Sequence, residues 1–193
     1  MGAEAFLHAA FRAVARDDFL RPDDQSKAGV DAPIAIGCGQ TNSQPRTVFA
    51  MFELLDVQPG HRVLDVGSGS GWTTALLAYV VGPTGVVIAT ELQPDLVAFG
   101  RANLAKYDFP WASISQAEPG TLGAPDEAPF DRILVSAEAR SLPKPLVDQL
   151  AVGGTMVIPV GARMTRVEKN GPGREEVSVT THGLYSFVPL RWE

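Results

Sequence analysis

The sequence predicts an α/β fold: a mainly parallel sheet with helices on both faces, preceded by a helical cap and closed by a β-hairpin. Three observations carry this. Short apolar runs at residues 63–66, 86–89, 133–135 and 155–158 have the length and continuous hydrophobicity of strands buried on both faces. Helical stretches alternate with these runs, the pattern of strand–helix–strand units in a parallel sheet. A glycine cluster, Gly67-Ser68-Gly69-Ser70-Gly71, stands where the first of these strands turns into a helix.

Each element has its own signal. Residues 4–15 place Phe6, Ala10, Ala13 and Val14 at helical spacing, so the chain opens on an amphipathic helix. From Arg16 to Asp31 the period stops, and Asp17, Asp18, Pro22, Asp23, Asp24 and Gly29 read as a solvated surface loop. Pro45 opens a second helix with Val48, Met51, Phe52 and Leu55 on one face, and Pro59-Gly60 closes it. The strand at 63–66 and the glycine turn lead into a helix over 72–81. After the strand at 86–89, a third helix starts at Pro94, with Leu96, Val97 and Leu104 facing the core. Beyond the strand at 133–135, a short helix is expected over 145–150, then the strand at 155–158. Residues 164–168 and 176–180 flank Lys169-Asn170-Gly171-Pro172-Gly173 and read as a hairpin; Phe187-Val188-Pro189-Leu190 is expected to add an edge strand.

Composition bounds the function. A length of 193 residues predicts one domain, divided into a cap and following loop (1–58), a core (59–161) and closing strands (162–193). Sixteen Lys and Arg against 22 Asp and Glu give a net charge of -6, which disfavours binding to nucleic-acid phosphates. Cys38 is the only cysteine, which rules out an internal disulfide and a zinc cluster of several thiolates. It is expected to be a small buried residue. His8, His61 and His182 show no ligand spacing, so no metal is expected. Trp72, Trp111 and Trp192 read as core or rim. The first residues lack the basic region of a secretory signal, Gly2 lacks the Ser or Thr an acylation signal wants at position 6, and no apolar run approaches membrane length. A cytoplasmic protein without membrane attachment is expected.

The glycine turn is the most informative local feature. Glycines there allow positive φ and let a ligand approach the backbone, beside the free N–H groups of the following helix. The position three after the second glycine is Trp72, so the dinucleotide fingerprint is not met; P-loop and nucleophile-elbow patterns are absent. Glu91 stands just past the second strand, where a carboxylate can accept hydrogen bonds from both hydroxyls of a ribose. Together these features point to S-adenosylmethionine. The competing reading is an ordinary glycine turn with a solvent-facing Glu.

One further block, Asp31-Ala32-Pro33-Ile34-Ala35-Ile36-Gly37-Cys38-Gly39-Gln40-Thr41-Asn42-Ser43-Gln44-Pro45, resembles the D-x-P-x-x-I-G-x-G-Q-T-I-S-Q-P signature of protein-L-isoaspartate O-methyltransferases. The likeness continues through the glycine turn, Thr121-Leu122-Gly123, Ala128-Pro129-Phe130-Asp131, Gly153-Gly154-Thr155 and Phe187-Val188-Pro189-Leu190, covering almost the whole chain. The resemblance implies the Rossmann-like class I methyltransferase fold, with seven strands and an N-terminal cap. It implies methyl transfer from S-adenosylmethionine to the free carboxylate of L-isoaspartyl residues in proteins or peptides, a repair reaction, by a monomeric enzyme needing no metal. Ser43 matches the active-site serine; read without the family, it is a helix N-cap before Pro45. Gln40, Thr41 and Ser43, with Gly67, Ser68, Gly69 and Gly71, match the methionine end of the cofactor site. Glu91 matches the ribose contact and Leu92 the adenine contact, while Asp65 matches the acidic residue of the first strand, with a structural role as its alternative. Glu118 and Gly120 stand in the adenine segment.

The chain also departs from the family pattern. Asn42 replaces Ile, Arg46 replaces an aromatic residue, and Glu118-Pro119-Gly120 replaces G-D-G, so the adenine-contacting Asp is missing. Glu138 stands where small neutral residues are usual; facing the site, it would repel a carboxylate unless Arg46 or Arg140 offset it. Two alternatives follow: a carboxylate methyltransferase of the same fold acting on aspartate in a dedicated peptide or on a small metabolite, and a non-catalytic cofactor- or peptide-binding adaptor.

Overall fold

The computed structural model describes residues 3–192; Gly2, read above for acylation, lies outside the described residues. The first helix, α1 (Ala3–Ala13), buries Leu7 and Ala10. Two short 3-10 turns follow, then a two-stranded antiparallel ribbon of β1 (Ile34–Gly37) and β2 (Gln40–Asn42), and α2 (Pro45–Leu55). The core runs β3 (Arg62–Val66), α3 (Trp72–Val81), β4 (Val86–Glu91), α4 (Pro94–Leu104), β5 (Ala112–Gln116), β6 (Phe130–Val135) and α5 (Lys144–Asp148). Strands β7 (Leu150–Val160), β8 (Arg163–Lys169) and β9 (Val177–Leu184) close the sheet.

The seven strands lie in the order β5-β4-β3-β6-β7-β8-β9. The first five strands are parallel to one another, while β7–β8 and β8–β9 are antiparallel. Alternation along the central strands sorts side chains into two cores. Val63, Leu134 and Val157 pack on the α3 face, whereas Leu64, Val66, Ile133, Met156 and Ile158 pack on the opposite face with Leu146 and Val147 of α5. Helix α3 is buried nearly all round because it lies between the sheet and the α1 cap, which explains its lack of a polar face. The order in which strands are added reverses between β3 and β6, and the crevice at the carboxyl ends of these two parallel strands is where such a sheet binds ligands.

Four local expectations are corrected. Residues 16–31 are not simply a solvated loop: Arg16, Phe19 and Leu20 are buried. Strand β5 was not expected, because Ile114 is its only buried residue among serines and a glutamine at the sheet edge. Phe187-Val188-Pro189-Leu190 does not extend the sheet edge; it makes only a bridge at Glu138–Pro189, across the end of β6. Cys38 is exposed, because Gly37, Cys38 and Gly39 form the left-handed tip of the ribbon, with φ of 101, 54 and 69°.

Candidate functional site

Strand β3 delivers the chain into the crevice and the glycine turn carries it into α3. Two of its glycines are needed for different reasons. At Gly71, with φ of 86°, a Cβ would fall 3.0 Å from the Gly100 carbonyl of α4. At Gly67, with φ of 78°, a Cβ would meet nothing within 4 Å, because this side opens on the cavity. The amides are engaged within the protein. Gly67 and Ser68 donate to the Thr90 carbonyl (2.8 and 3.2 Å), Gly71 to the Ser68 carbonyl (2.8 Å), and Gly69 to Glu91 Oε2 (2.9 Å). With these donors occupied and Glu91 alongside, the cradle is not built to hold phosphate. The buried Glu91 also accepts from the Gln93 amide through Oε1 (2.9 Å), and each of its oxygens keeps a further lone pair.

Asp65 lies under the turn, fully buried. Burial pushes its carboxyl up to about 6, against the hydrogen bonds that Thr74 and Thr73 donate to Oδ2 (2.7 and 2.8 Å). It holds the start of α3 and does not line the cavity.

The ribbon β1–β2 overhangs this cradle, with Ile36 Cδ1 only 3.2 Å from where a Cβ on Gly69 would stand. Two arginines from the preceding segment hold it. Arg21 Nε donates to the Ile36 carbonyl (2.9 Å), and its guanidinium sits 3.8 Å from the Phe99 ring centroid. Arg16 is more deeply committed. Its Nε donates to Asn42 Oδ1 (2.7 Å), Nη1 to the carbonyls of Ala28 and Val30 (3.2 and 2.8 Å), and Nη2 to those of Ala32, Asn42 and Ser43 (2.8, 3.3 and 3.0 Å). Desolvation pulls this guanidinium down to about 10, still cationic at neutral pH. A buried charge is tolerated here because carbonyl dipoles surround it.

The N-terminus of α2 is capped from outside. Asp31 Oδ1 accepts from the Arg46 amide (3.1 Å), and Asp31 pairs with the exposed Arg46 guanidinium (3.0 Å). The Arg46 amide, first among several contacts, holds the Asp31 carboxyl below its ordinary value. The N-cap position falls on Gln44, which makes no side-chain cap bond. Ser43 is therefore not the N-cap, and its hydroxyl is not engaged in capping.

The far wall consists of Ser136, Ala137 and the tail at 188–192. The Glu138 amide donates to the Val188 carbonyl, the Leu190 amide to the Glu138 carbonyl, and the Gly120 amide to the Trp192 carbonyl, all at 2.8 Å. These bonds lace the tail across the crevice mouth.

The cavity, about 270 Å³, is bordered by all three parts. Of the residues singled out from sequence, Gln40, Thr41, Ser43, Gly67, Ser68, Gly69, Glu91 and Leu92 line it; Asp65, Gly71, Glu118 and Gly120 do not. Ala117, Thr121, Leu122 and Gly123 stand where Glu118 and Gly120 were expected. Glu138, Arg46 and Arg140 are also off the lining. Among the described residues, Arg191 is the one Lys or Arg that lines the cavity. Sequence reasoning missed it, although it directly follows the Val188-Pro189-Leu190 match. Among the described residues, no cluster of His, Cys, Asp and Glu could hold a metal, and no helix is long and apolar enough to cross a membrane.

A doubly wound sheet with an acidic, non-phosphate cradle at its switch point defines the S-adenosylmethionine type of α/β site. The protein-L-isoaspartate(D-aspartate) O-methyltransferase family model matches residues 3–192, and the chain belongs to this family. It is 46% identical over 192 residues to the protein-L-isoaspartate O-methyltransferase of Methanopyrus kandleri, covering 97% of this chain and 82% of that protein. To the enzyme of the same name from Aeropyrum pernix it is 46% identical over 185 residues, covering 94% and 70%. A Plasmodium falciparum structure assigned to the protein-L-isoaspartate O-methyltransferases, in complex with S-adenosyl-L-homocysteine, superposes with a TM-score of 0.84 at 26% identity, covering 97% of this chain and 91% of that one.

Proposed function

We propose that the chain transfers a methyl group from S-adenosylmethionine to the free carboxylate of L-isoaspartyl residues in proteins or peptides. The observation that carries this reading is that the cradle and Ser43 line one cavity, with the Ser43 hydroxyl not engaged in capping. The residues fit the cofactor. Gly67 leaves space on the cavity side, Glu91 offers lone pairs for a ribose, and the buried Ser68 hydroxyl, which lines the cavity, has no partner within the protein. When bound, S-adenosylmethionine supplies an already activated methyl group on a sulfonium.

The chain's own residues then have modest tasks. A carboxylate acceptor is ionised at pH 7, so no general base is required. Ser43 orients it by donating a hydrogen bond, and the small Ser136 and Ala137 leave it room. Arg191 supplies positive charge at the rim, a role for which Arg46 and Arg140 are misplaced. The ribbon and tail exclude water, so the rate enhancement comes chiefly from holding the reactants in line. Leu92 would hold the adenine, and Gln40 and Thr41 would hold the methionine end, all three lining the cavity. Asp65 and Gly71 act one layer below, and Glu118 and Gly120 shape the adenine segment from outside the cavity. The chain is taken to act as a monomer, as the resemblance implies.

The test pairs an isoaspartyl peptide with its normal aspartyl twin, and methyl incorporation is read by mass. Methylation of the isoaspartyl peptide alone is expected. Equal methylation of both peptides, or none, overturns the reading.

A further inference from the structure

Asn42 bridges the two walls of the cavity. Its Oδ1 accepts from Arg16 Nε at 2.7 Å and its Nδ2 donates to Ser70 Oγ at 3.1 Å. The orientation of this amide is determined, because Arg16 can only donate: the oxygen must face Arg16, and the nitrogen is left to face Ser70. Asn42 is buried, so water does not substitute readily for either bond. The residue belongs to β2 and immediately precedes Ser43, whereas Ser70 belongs to the glycine turn 28 positions away.

Both ends of this bridge are fixed by other bonds. On the acceptor side, Arg16 Nη2 holds the carbonyls of Asn42 and Ser43, so the main chain on either side of the Ser43 amide is clamped to one guanidinium. On the cofactor side, Asn103 Nδ2 donates to the Ser70 carbonyl (3.1 Å), and neighbouring Gly69 donates to Glu91. The result is a continuous run of short contacts from Ser43 through Asn42, Ser70 and Gly69 to the Glu91 carboxylate. The isoaspartyl signature that this block resembles has Ile at position 42, which could make neither bond, so the link belongs to this chain's own substitution.

We propose that Asn42 is a positioning residue that couples the two halves of the reaction: occupancy of the glycine turn by the cofactor orders the segment carrying Ser43 through the Asn42–Ser70 hydrogen bond. The proposal rests on the cofactor reading above. It makes binding ordered, with the acceptor site completed only once the cofactor is seated. The turn and the ribbon are joined by few other polar contacts, and the Ile36–Gly69 contact is apolar and undirected, so the amide is the element that transmits position.

The experiment uses the whole chain, with S-adenosylhomocysteine as probe and no acceptor present. Hydrogen exchange is followed at residues 41–44 and 67–71 in wild type, Asn42→Ile and Ser70→Ala. In wild type, saturating probe is expected to slow exchange at both segments, by about fivefold or more at 41–44, the lower range of ordinary coupling. In the variants, protection at 67–71 persists while that at 41–44 falls to less than about half the wild-type effect. Direct shielding by the probe would survive removal of one hydroxyl, so equal protection at 41–44 in Ser70→Ala overturns the proposal. Absence of wild-type protection at 41–44 does the same. If Asn42→Ile does not fold, Ser70→Ala, which disturbs no main-chain bond, decides the matter. With an isoaspartyl peptide, both single variants are expected to lose about tenfold or more in kcat, as a small misplacement of reactants does, and the double variant no more than the worse single one. Losses that multiply overturn the coupling. The exchange readout stands if the acceptor is not isoaspartyl; failure of wild type to protect 67–71 overturns both the cofactor reading and this one.

Discussion

The glycine cradle and the ribbon border one cavity, but they are held by different means. The cradle is held chiefly main chain to main chain: Gly67 and Ser68 hang from the Thr90 carbonyl, and Gly71 packs against Gly100 of α4, with Glu91 and Asn103 adding one side-chain bond each. Its position follows from the register of β3 against β4, so it inherits the rigidity of the sheet. The ribbon has no such support. It is pinned by side chains reaching for carbonyls, Arg21 to Ile36 and Arg16 to Asn42 within the ribbon and to Ala28, Val30, Ala32 and Ser43 in the segments on either side of it. One wall is therefore set by strand pairing, and the other by two long cationic side chains. Sheet-borne parts should tolerate local damage with loss of binding alone, whereas the ribbon should fail as a unit.

Arg16→Ala breaks the comparison most directly. It leaves Asn42 Oδ1 and five buried or part-buried carbonyls without their donor, and a loss of about 3 kcal/mol is expected in urea unfolding, at about 1–3 kcal/mol for each buried acceptor left unsatisfied. Gly67→Ala separates the walls from the other side. Its methyl would enter the cavity, so affinity for S-adenosylhomocysteine should drop by about thirtyfold, roughly 2 kcal/mol by calorimetry. Its stability cost should stay near 1 kcal/mol for a left-handed alanine. Ser43→Ala sharpens the contrast further. It should lower kcat by about tenfold, as loss of a positioned hydrogen-bond donor does, with binding of S-adenosylhomocysteine unchanged.

The smallest effect concerns Asp65. Its carboxyl is raised from 3.8 to about 6, so between those values the native state binds a proton that the unfolded chain has released. Stability should therefore fall as pH rises through this window, by about 1 kcal/mol from pH 5 to 8. In Asp65→Asn that contribution is absent, and the difference between variant and wild type in unfolding free energy should shift in the variant's favour by this amount at the higher pH. An unchanged difference would mean that Asp65 is not desolvated.

The same contrast explains what was legible in the sequence. The cradle was legible because strand, glycines and helix are consecutive, and Glu91 marks the end of the next strand. The family block added Ser43 and the path of the ribbon. What held the ribbon was not legible. Arg16 reaches Asn42 across 26 positions and is neutralised by carbonyls, which every residue has and no sequence displays. Its acidic neighbours made the segment look solvated, although Phe19 and Leu20 are buried beside it. Ser43 was singled out by the family block, and its reading as a helix cap fails because the cap comes from Asp31 in a different segment. Strand β5 escaped because an edge strand half in water needs little hydrophobicity. Arg191 escaped because charge was sought at Arg46 and Arg140, whereas the cation that lines the cavity follows the last matched block.

The placement of the indoles gives the molecule an optical gauge. Trp72 lines the cavity, donates from Nε1 to the Val14 carbonyl of the cap (3.2 Å), and has the Arg16 guanidinium 5.5 Å from its ring. Trp111 is bonded to Ala78 instead, and Trp192 belongs to the tail. A protein with phenylalanine at 111 and 192 would emit from Trp72 alone, and the colour and intensity of that emission would register, in real time, whether the cap is seated.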